Sequence, residues 1–396
     1  MTKERTSERS FAWSESVETP AYVFDETLLV SHLETLRQLA QTAGLKVLYS
    51  MKAAARFELL EIIQPRIDGF STSSLFETRL IKSLRRDGQL IHLVSPGLRA
   101  AEVRELTGSA CRVSFNSLEQ LHRLRSACGD SVGIGLRVNP GISLVDDARY
   151  DACRQHSKLG VPLAHLAEVC RQSPEVWADI DGLHVHTNCE AKSYDGLLVT
   201  VQRLIEELPD LVAKVSWVNL GGGYLFADIN EPSPLLLAAN LLRSQGCEVS
   251  MEPGAGIVQK CGYLVSSVVD LFERDGREVA VLDTTVGHWP EILEYQFEPN
   301  VLGDLEHGRF EYTLAGASCL AGDIFGNYAL DEPLSVGSRV VFREAGAYSL
   351  VKASYFNGIN LPSTYLLKKS GALSRSQRFS YDDFLARNGV LDHVFV

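Results

Sequence analysis

The sequence of 396 residues lacks long apolar segments, and that absence removes several classes of protein. No run of about 18 apolar residues occurs, so no transmembrane helix and no membrane partner are expected. The opening stretch MTKERTSERSFAWSESVETP is polar and carries no apolar secretory segment. The remaining composition, 45% hydrophobic and 22% charged, is that of a globular protein with enough apolar side chains for two sizeable cores.

Paired cysteines and an excess of positive charge are also missing. The eight cysteines are scattered and form no CxxC motif, which favours reduced thiols in a cytoplasmic protein over a disulfide framework or a metal site. Lys and Arg number 38 against 50 Asp and Glu, and the net charge of −12 argues against a nucleic-acid partner. The same charge would suit a cationic substrate.

The sequence does contain a repeated alternation of short strand-like runs with amphipathic helical patterns such as ETLLVSHLETLRQLAQTAG. The runs are KVLYSMK (46–52), GFSTSS (69–74), IHLVSP (91–96), RVSFNS (112–117), GIGLRVNP (133–140), DGLHVHT (181–187), SWVNLGGG (216–223) and CEVSMEPG (247–254). Such alternation predicts a parallel sheet, and eight units in roughly 230 residues match an α/β protein of the (β/α)₈ barrel type. A doubly wound open sheet is the alternative. It would more often show one glycine-rich fingerprint near its start, and none is present.

After about residue 265 the pattern becomes rich in β-strand signals, which predicts a second, mainly antiparallel domain. The strand-like runs there are LVSSVVDLF, EVAVLDTTV, RFEYTLAGASC, SRVVFREAGAYSLV and STYLLKK. The segment ETPAYVFD (18–25) is strand-like and is expected to join that domain. The sequence thus predicts a barrel over 26–265 and a discontinuous β domain over 1–25 and 266–396. The tail RFSYDDFLARNGVLDHVFV predicts a helix followed by an extended end.

Lys52 stands at the end of the strand-like stretch VLYSMKA, an unusual place for a charge. Buried lysines are costly, and the usual remedies are an ion pair or a changed pKa. The ordinary explanation is a lysine whose ammonium extends to solvent at the sheet edge. The functional explanation is a lysine that forms a Schiff base with a carbonyl group.

In a barrel the carboxyl ends of all strands meet on one face, where active sites gather. That face is expected to collect an amine, hydroxyls, an arginine, imidazoles, a glycine-rich loop and an acid. These residues are Lys52, Ser73, Ser74, Ser95, Asn116, Arg137, His184, His186, Gly221, Gly222, Gly223 and Glu252.

The glycine-rich stretches NLGGGY (219–224) and EPGAG (252–256) suggest a phosphate site, because consecutive glycines let backbone N–H groups approach an anion. A tight turn is the alternative for the first stretch. A Schiff-base lysine, a phosphate and a nearby acid together suggest pyridoxal 5'-phosphate, with Glu252 on the pyridine nitrogen and His186 against the ring. Alternatively, His186 is a satisfied core histidine and Glu252 pairs with Arg137.

A family resemblance connects these stretches across residues 19 to 386. The motifs TPAYVFD, YSMKAA, GFSTSSLFE, LRVNPG, YDACRQHSKLGVPL, GLHVHTNCE, WVNLGGGY, MEPGAG, HWPEILE, GASCLAGD and GAYSLVKASYFNGINLPS occur in the family's order. The chain resembles the fold-type III pyridoxal-phosphate decarboxylases, which include the ornithine and diaminopimelate enzymes. It is most similar to the carboxynorspermidine decarboxylase branch.

The resemblance implies roles for residues, and it implies a homodimer with two shared active sites. Lys52 would bind the cofactor covalently, His186 would stack on its ring and Glu252 would pair with its nitrogen. Cys319 and Asp323 would come from the partner subunit, Cys319 to reprotonate the substrate and Asp323 to attract its distal ammonium. Otherwise Cys319 is a small buried apolar residue. The remaining cofactor-binding residues would be Arg137, Gly221, Gly222, Gly223, Gly254 and Tyr348.

The resemblance weakens on the substrate side. The branch usually reads EPGEA, so an acid that helps hold the polyamine is replaced by Ala255. The segment HWPEILEYQFEP also departs from the branch pattern at Trp289 and Glu298. The remaining candidates for substrate binding are His288, Glu291, Glu294 and Glu190.

Three hypotheses remain open. The first is a decarboxylase of carboxynorspermidine, carboxyspermidine or a related amino acid with a distal amine, in polyamine biosynthesis. The second is a related decarboxylase of a siderophore or antibiotic pathway, or one acting on diaminopimelate, ornithine or lysine. The third is a catalytically silent regulatory homologue, against which the presence of Lys52, Glu252, Cys319 and Tyr348 argues. A racemase is disfavoured because Glu252 would keep the pyridine nitrogen protonated.

Overall fold

The computed structural model describes residues 11–106, 111–173 and 178–390, which fall into two compact units. One unit is Val30–Ile257, and the other combines 11–29 with 258–390. The predicted extended end of the tail lies outside the described residues, beyond residue 390.

The strands of the described residues are between two and thirteen residues long. They are β1 (Ala21–Asp25), β2 (Lys46–Ser50), β3 (Gly69–Thr72), β4 (Leu90–Val94), β5 (Cys111–Phe115), β6 (Gly133–Asn139), β7 (Val161–Pro162), β8 (Gly182–Val185), β9 (Trp217–Asn219), β10 (Glu248–Met251), β11 (Gly262–Arg274), β12 (Arg277–Leu282), β13 (Phe310–Ala315), β14 (Ile324–Leu330), β15 (Arg339–Phe342), β16 (Ser363–Leu367) and β17 (Leu373–Gln377).

The helices carry their apolar residues at intervals of three and four. In one of them, 195–207, the buried positions are Leu197, Thr200, Val201 and Leu204. The helices are α1 (Glu26–Ala43), α2 (Phe57–Ile63), α3 (Leu75–Leu84), α4 (Ala100–Arg104), α5 (Leu118–Leu124), α6 (Leu163–Gln172), α7 (Asp195–Glu207), α8 (Pro209–Lys214), α9 (Ser233–Ser244), α10 (Ala255–Val258), α11 (Glu291–Tyr295) and α12 (Tyr381–Arg387).

The first unit is a closed parallel barrel, as the sequence predicted. Its strands follow the order β5-β4-β3-β2-β10-β9-β8-β6, and pairing of β5 with β6 closes the sheet. The short β7 pairs with β6 outside the ring. All eight predicted runs overlap a barrel strand, although β4 and β5 each begin one residue before the predicted run.

The second unit contains an eight-stranded, mainly antiparallel sheet. Strand β1 lies inside it, antiparallel to β11 and parallel to β16, so the expected pairing of 18–25 with the C-terminal strands is confirmed. A buried cluster that includes Val23, Val265 and Val341 packs around this junction.

Two strands of the second unit were not singled out in the sequence. Strand β14 carries Gly326 and a bulge, and β17 reads LSRSQ, has no buried residue and pairs only at the sheet's end. Both therefore lack the apolar alternation that marks a strand. Within the part of the chain that the structure describes, none of the helices combines the length and apolar character that a membrane crossing needs.

Candidate active site

Lys52 lies in a 3₁₀ turn, Met51–Ala53, directly after β2 at the carboxyl end of the barrel. Its side chain is accessible to solvent, while the surrounding barrel residues desolvate it enough to lower the pKa of its ammonium. The charge of Glu252 acts in the opposite direction, and that of Arg137 adds to the lowering. A lowered pKa raises the fraction of the lysine that is free amine, which is the form that acts as a nucleophile.

Glu252 directly follows β10 and is buried. Burial alone would raise the pKa of its carboxyl group, but His184, His92 and Lys52 hold that pKa below its usual range. Its Oε2 lies 3.4 Å from Nε2 of His184, and its Oε1 accepts a hydrogen bond of 2.6 Å from Nδ2 of Asn219. The barrel therefore keeps a desolvated carboxylate at its carboxyl end.

His186 directly follows β8, and the backbone N–H of Gly222 donates to its Nδ1 at 3.1 Å. Because Nδ1 is the acceptor, the neutral ring carries its proton on Nε2. Burial, with the charges of Lys52 and Arg137, keeps the pKa of His186 well below its ordinary value. The imidazole is thus neutral, and it lies nearly parallel to that of His184, with 19° between the two planes.

The three consecutive glycines are required by close backbone contacts rather than by a turn alone. A Cβ at Gly221 would overlap the carbonyl oxygen of Val185, and one at Gly222 would overlap that of Glu252. Gly221 and Gly223 also have positive φ angles of 68° and 88°. Among the described residues, the N–H groups of Gly223 and Gly254 have no hydrogen-bond partner, so they remain available to an anion.

Arg137 on β6 is 8% exposed, and its guanidinium makes no hydrogen bond and no ion pair within 4 Å among the described residues. Burial lowers its pKa to about 10, and the charge of Glu252 partly offsets that effect. An unpaired buried cation is costly unless an anion completes its surroundings. We call Lys52, Arg137, His186 and Glu252 the barrel-end cluster.

The polar residues at the other strand ends have local structural roles. Ser74 caps α3 by accepting from Glu77 N–H, and the N–H of Ser73 donates to the Glu77 carboxylate. Asn116 donates to the carbonyl of Lys158 and accepts from Gly160 N–H. The hydroxyl of Ser95 accepts a hydrogen bond from the backbone N–H of Gly97.

In the second unit, Asp323 and His288 are buried. Asp323 accepts backbone hydrogen bonds from Val286 at 2.8 Å and from Ser318 at 2.9 Å. His288 Nδ1 lies 2.9 Å from the Thr284 hydroxyl, and burial lowers its pKa to about 4. In this chain the Asp323 carboxylate therefore holds two loops of its own unit.

Glu291 and Glu294, both expected to contact substrate, bind Lys352. The Lys352 ammonium lies 3.1 Å from Oε1 of Glu291 and also contacts Glu294. It lies 5.8 Å from the centre of the Tyr348 ring, and Tyr348 has a positive φ of 52°. Glu190, in the first unit, is exposed, with a φ of 53°.

Cys319 is exposed, contrary to the alternative of a buried apolar role, and its N–H donates to the side chain of Asn357 at 2.8 Å. No two of the eight cysteines are joined in a disulfide, and all eight lie within the described residues. Within 11–106, 111–173 and 178–390, no group of three or more His, Cys, Asp and Glu side chains could hold a metal ion.

Sequence reasoning missed three polar residues around the cluster. His92 and Asn219 are fully buried inside the barrel, on β4 and β9, and contact Glu252. Glu77 has a pKa raised by burial, while its bond from Ser73 N–H and the charge of Lys52 oppose that shift. A signal was present for Asn219, which is a polar residue at a strand end directly before the glycine loop.

The observed groups fit pyridoxal 5'-phosphate. Lys52 offers the amine for its aldehyde, Glu252 a carboxylate for a protonated ring nitrogen, and His186 a neutral ring. The unpaired guanidinium of Arg137 and the available N–H groups of Gly223 and Gly254 offer positive charge and donors for its oxygens.

Comparisons with known proteins agree with this geometry. Residues 28–259 match the family model "Pyridoxal-dependent decarboxylase, pyridoxal binding domain". Carboxynorspermidine/carboxyspermidine decarboxylase of Campylobacter jejuni is 32% identical over 94% of this chain and 99% of its own length. Carboxyaminopropylagmatine decarboxylase of Synechocystis is 33% identical over 94% of this chain and 96% of its own length.

A solved structure is also similar over nearly the whole length. The crystal structure of carboxynorspermidine decarboxylase complexed with norspermidine, from Campylobacter jejuni, has a TM-score of 0.84 and 31% sequence identity. The similarity covers 94% of this chain and 100% of that one. The family match extends over more than half of the sequence, and full-length relatives exceed 30% identity. The chain therefore belongs to the pyridoxal-dependent decarboxylases.

Proposed function

We propose that this decarboxylase removes the α-carboxyl group of a carboxylated polyamine such as carboxynorspermidine or carboxyspermidine, with pyridoxal 5'-phosphate as its cofactor. The observation that supports the chemistry best is that one barrel end holds both Lys52, an accessible lysine of lowered pKa, and Glu252, a buried carboxylate whose pKa is also lowered. The same combination argues against a catalytically silent homologue, which would have no need to keep a desolvated charge there.

Each candidate residue has a proposed role in holding the cofactor. Lys52 would attach it, Glu252 would pair with its ring nitrogen and His186 would face its ring. Arg137 and the N–H groups of Gly223 and Gly254 would bind its oxygens. Tyr348 is proposed as a further phosphate ligand. The proposed domains are a cofactor-binding domain of 26–265 and a second domain that combines 1–25 with 266–396.

When bound, the cofactor supplies an electron sink that stabilises the negative charge left on Cα as carbon dioxide leaves. Glu252 would maintain that sink, because an ionised carboxylate favours a positively charged ring nitrogen. Lys52 would hold the cofactor through its amine, and as a free amine it would be the base nearest to the substrate amine. Cys319 Sγ is proposed to return a proton to Cα, since its side chain is accessible.

The substrate class is supported by the relatives and by charge. Two relatives at 32% and 33% identity are named as decarboxylases of carboxylated polyamines. A net charge of −12 favours cationic molecules. Asp323, His288, Glu291, Glu294 and Glu190 are proposed to act around the distal amines. The second of these relatives makes carboxyaminopropylagmatine a specific second candidate.

Cofactor binding is tested by absorbance. The purified protein is expected to be yellow, and borohydride should remove the colour and fix the cofactor to the peptide that contains Lys52. Lys52→Ala should lose both properties. Lys46→Ala is the matched control, because Lys46 begins the same strand and is bound to Glu248 at 2.5 Å. A yellow Lys52→Ala protein with unchanged borohydride labelling would contradict the proposal.

The substrate is tested by carbon dioxide release from a panel. It contains carboxynorspermidine, carboxyspermidine, carboxyaminopropylagmatine, diaminopimelate, ornithine and lysine. We expect the highest kcat/KM with a carboxylated polyamine. A higher value for diaminopimelate, ornithine or lysine would overturn the substrate assignment. No carbon dioxide from any member of the panel would overturn the proposal that the protein decarboxylates a carboxylated polyamine.

The proposed homodimer with shared sites is tested by mixing inactive variants. Lys52→Ala and Cys319→Ala each lose one component of the composite site. Random subunit exchange should restore about a quarter of the wild-type activity, because half of the dimers are mixed and each then has one intact site. No recovery in a mixture that does exchange subunits would contradict a shared site.

A further inference from the structure

Asn219, the last residue of β9, contacts three elements of the barrel end at once. Its Nδ2 lies 2.6 Å from Oε1 of Glu252 and 2.7 Å from Nδ1 of His92. Its Oδ1 accepts the backbone N–H of Gly221 at 2.9 Å. Asn219 and His92 are fully buried and Glu252 nearly so, so none of these groups can exchange its partner for water.

The orientation of this amide is determined by the glycine loop. The backbone N–H of Gly221 can only donate, so the amide atom that faces it must be the oxygen. The two hydrogens on Nδ2 are then directed one to Glu252 and one to His92. A reversed amide would put two donors together at Gly221 and an oxygen against the carboxylate.

The amide in turn determines the state of His92. Because His92 Nδ1 accepts from Asn219, the imidazole is neutral and its proton is on Nε2, 2.8 Å from the Ser114 hydroxyl. Nδ1 of His92 and Oε1 of Glu252 are 3.4 Å apart, and both are acceptors. The amide of Asn219 supplies the donors that allow these two acceptors to lie side by side.

The backbone strengthens the same connection. The N–H of Glu252 donates to the carbonyl of Gly221 at 2.6 Å, so Gly221 is bound to Glu252 on one side and to the Asn219 side chain on the other. A displacement of the amide would therefore move the acid and the glycine loop together.

We propose that Asn219 is a positioning residue of the decarboxylase, which holds the Glu252 carboxylate in its orientation and the glycine loop in its conformation through one amide group. The inference rests on the proposed function, because it gives Glu252 and the loop their roles toward the cofactor. In this role Asn219 acts through Glu252 and Gly221, the groups that its side chain contacts.

Asn219→Asp is the most direct test, since it preserves size and the acceptor for Gly221. It puts a second carboxyl oxygen beside Glu252, and two carboxyl groups so close must share a proton. The amide has two hydrogens on Nδ2 and a protonated carboxyl group has only one, so either Glu252 or His92 loses its hydrogen-bond donor. We expect kcat to fall on the order of 100-fold with little change in KM, as for the loss of one preorganised donor. We also expect the apoprotein to bind pyridoxal phosphate at least about 10-fold more weakly in equilibrium dialysis.

Asn139→Asp is the matched control. Asn139 ends β6, and its Oδ1 accepts the N–H of Gly141 at 2.9 Å, which is the same local turn. Its Nδ2 donates to the backbone carbonyls of Ala152 and Leu159 instead of to a carboxylate. Asn139→Asp should leave kcat and cofactor affinity within about 3-fold of wild type, since it perturbs a turn but no acid.

Asn219→Ser provides a second variant if the aspartate prevents folding. A serine hydroxyl can still accept from Gly221 but is too short to reach Glu252. It should retain the circular dichroism of the wild-type apoprotein and show the same weakened cofactor binding. Wild-type cofactor affinity in both folded variants, with unchanged kcat, would overturn the role of Asn219 alone. A wild-type protein that binds no pyridoxal phosphate would overturn the proposed function and this inference with it.

Discussion

The ammonium of Lys352 lies 3.1 Å from Oε1 of Glu291 and also contacts Glu294, so the chain itself supplies a cation to two acids that resemble substrate ligands. Burial lowers the pKa of Lys352, but its bonds to Glu294 and Glu291 outweigh that effect and the net pKa is raised. A raised pKa means that the folded state holds the proton of this lysine more tightly than the unfolded chain does.

Lys352→Met should therefore lower the free energy of unfolding of the apoprotein by about 1–2 kcal/mol at neutral pH. The contribution of Lys352 is complete below the ordinary lysine pKa of 10.5 and is lost as the pH rises through the raised value. Urea unfolding measures the loss. Arg375→Met, which removes an exposed pair with Glu18, is the control and should cost less than about 1 kcal/mol. Equal costs would contradict a special role for Lys352.

Arg137→Met should have opposite effects on the apoprotein and on the loaded enzyme. Arg137 has no ion-pair partner within the described part of the chain, so removal of this buried cation should raise the free energy of unfolding of the apoprotein by about 1 kcal/mol. The stabilisation that added pyridoxal phosphate gives should become smaller, because the cofactor loses a cationic partner. Thermal denaturation with and without cofactor measures both.

Arg112→Met is the contrasting control for Arg137. Arg112 bonds Glu248 at 3.0 Å and lies over the Trp217 ring at 4.8 Å, so its loss should destabilise the protein with and without cofactor. A destabilised Arg137→Met apoprotein whose gain from cofactor equals that of wild type would contradict the role given to Arg137.

His92 should make stability depend on pH. Burial lowers its pKa from 6.5 to about 3, although Glu252 acts to raise it and His184 and Arg112 act with burial. Between these values the unfolded chain binds one proton more than the folded protein. Stability should therefore fall as the pH falls through that range, by up to about 1.4 kcal/mol per pH unit for this one group.

His92→Gln should reduce that slope, since glutamine can still bond Asn219 and Ser114 but does not titrate. Urea unfolding at several pH values between about 4.5 and 6.5 gives the slope. The exposed His122 supplies the control variant, His122→Gln. An unchanged slope in His92→Gln would show that the folded protein protonates His92 as readily as the unfolded chain does.

Gly222→Ala should damage both the fold and cofactor binding, because the added Cβ would overlap the carbonyl oxygen of Glu252. Backbone cannot move aside cheaply, so a cost of about 1–3 kcal/mol in the free energy of unfolding is expected. Cofactor affinity should fall with it, since the Gly222 N–H orients His186. Gly97→Ala adds a Cβ into open space and should be neutral. Wild-type cofactor binding in Gly222→Ala would contradict the close contact.

Much of the fold followed from local patterns. Each of the eight predicted runs overlaps a barrel strand. Lys52, His186 and Glu252 follow strands at one end, because parallel strands in a closed sheet have their carboxyl ends together. The strands β14 and β17 escaped prediction, because a bulge and a polar edge lack the alternation on which prediction depends.

The sequence by itself determined the barrel and the chemical types at its carboxyl end, since periodicity and strand endings are local properties of the chain. Only the tertiary structure decided which groups are partners. It left Arg137 without an ion-pair partner among the residues that the structure describes. It also put the Asn219 amide between Glu252 and His92 and paired Glu291 and Glu294 with Lys352. These hydrogen bonds join residues between 33 and 127 positions apart in the sequence. Contacts over such separations depend on how the backbone packs, and the residues next to each partner in the sequence do not determine them.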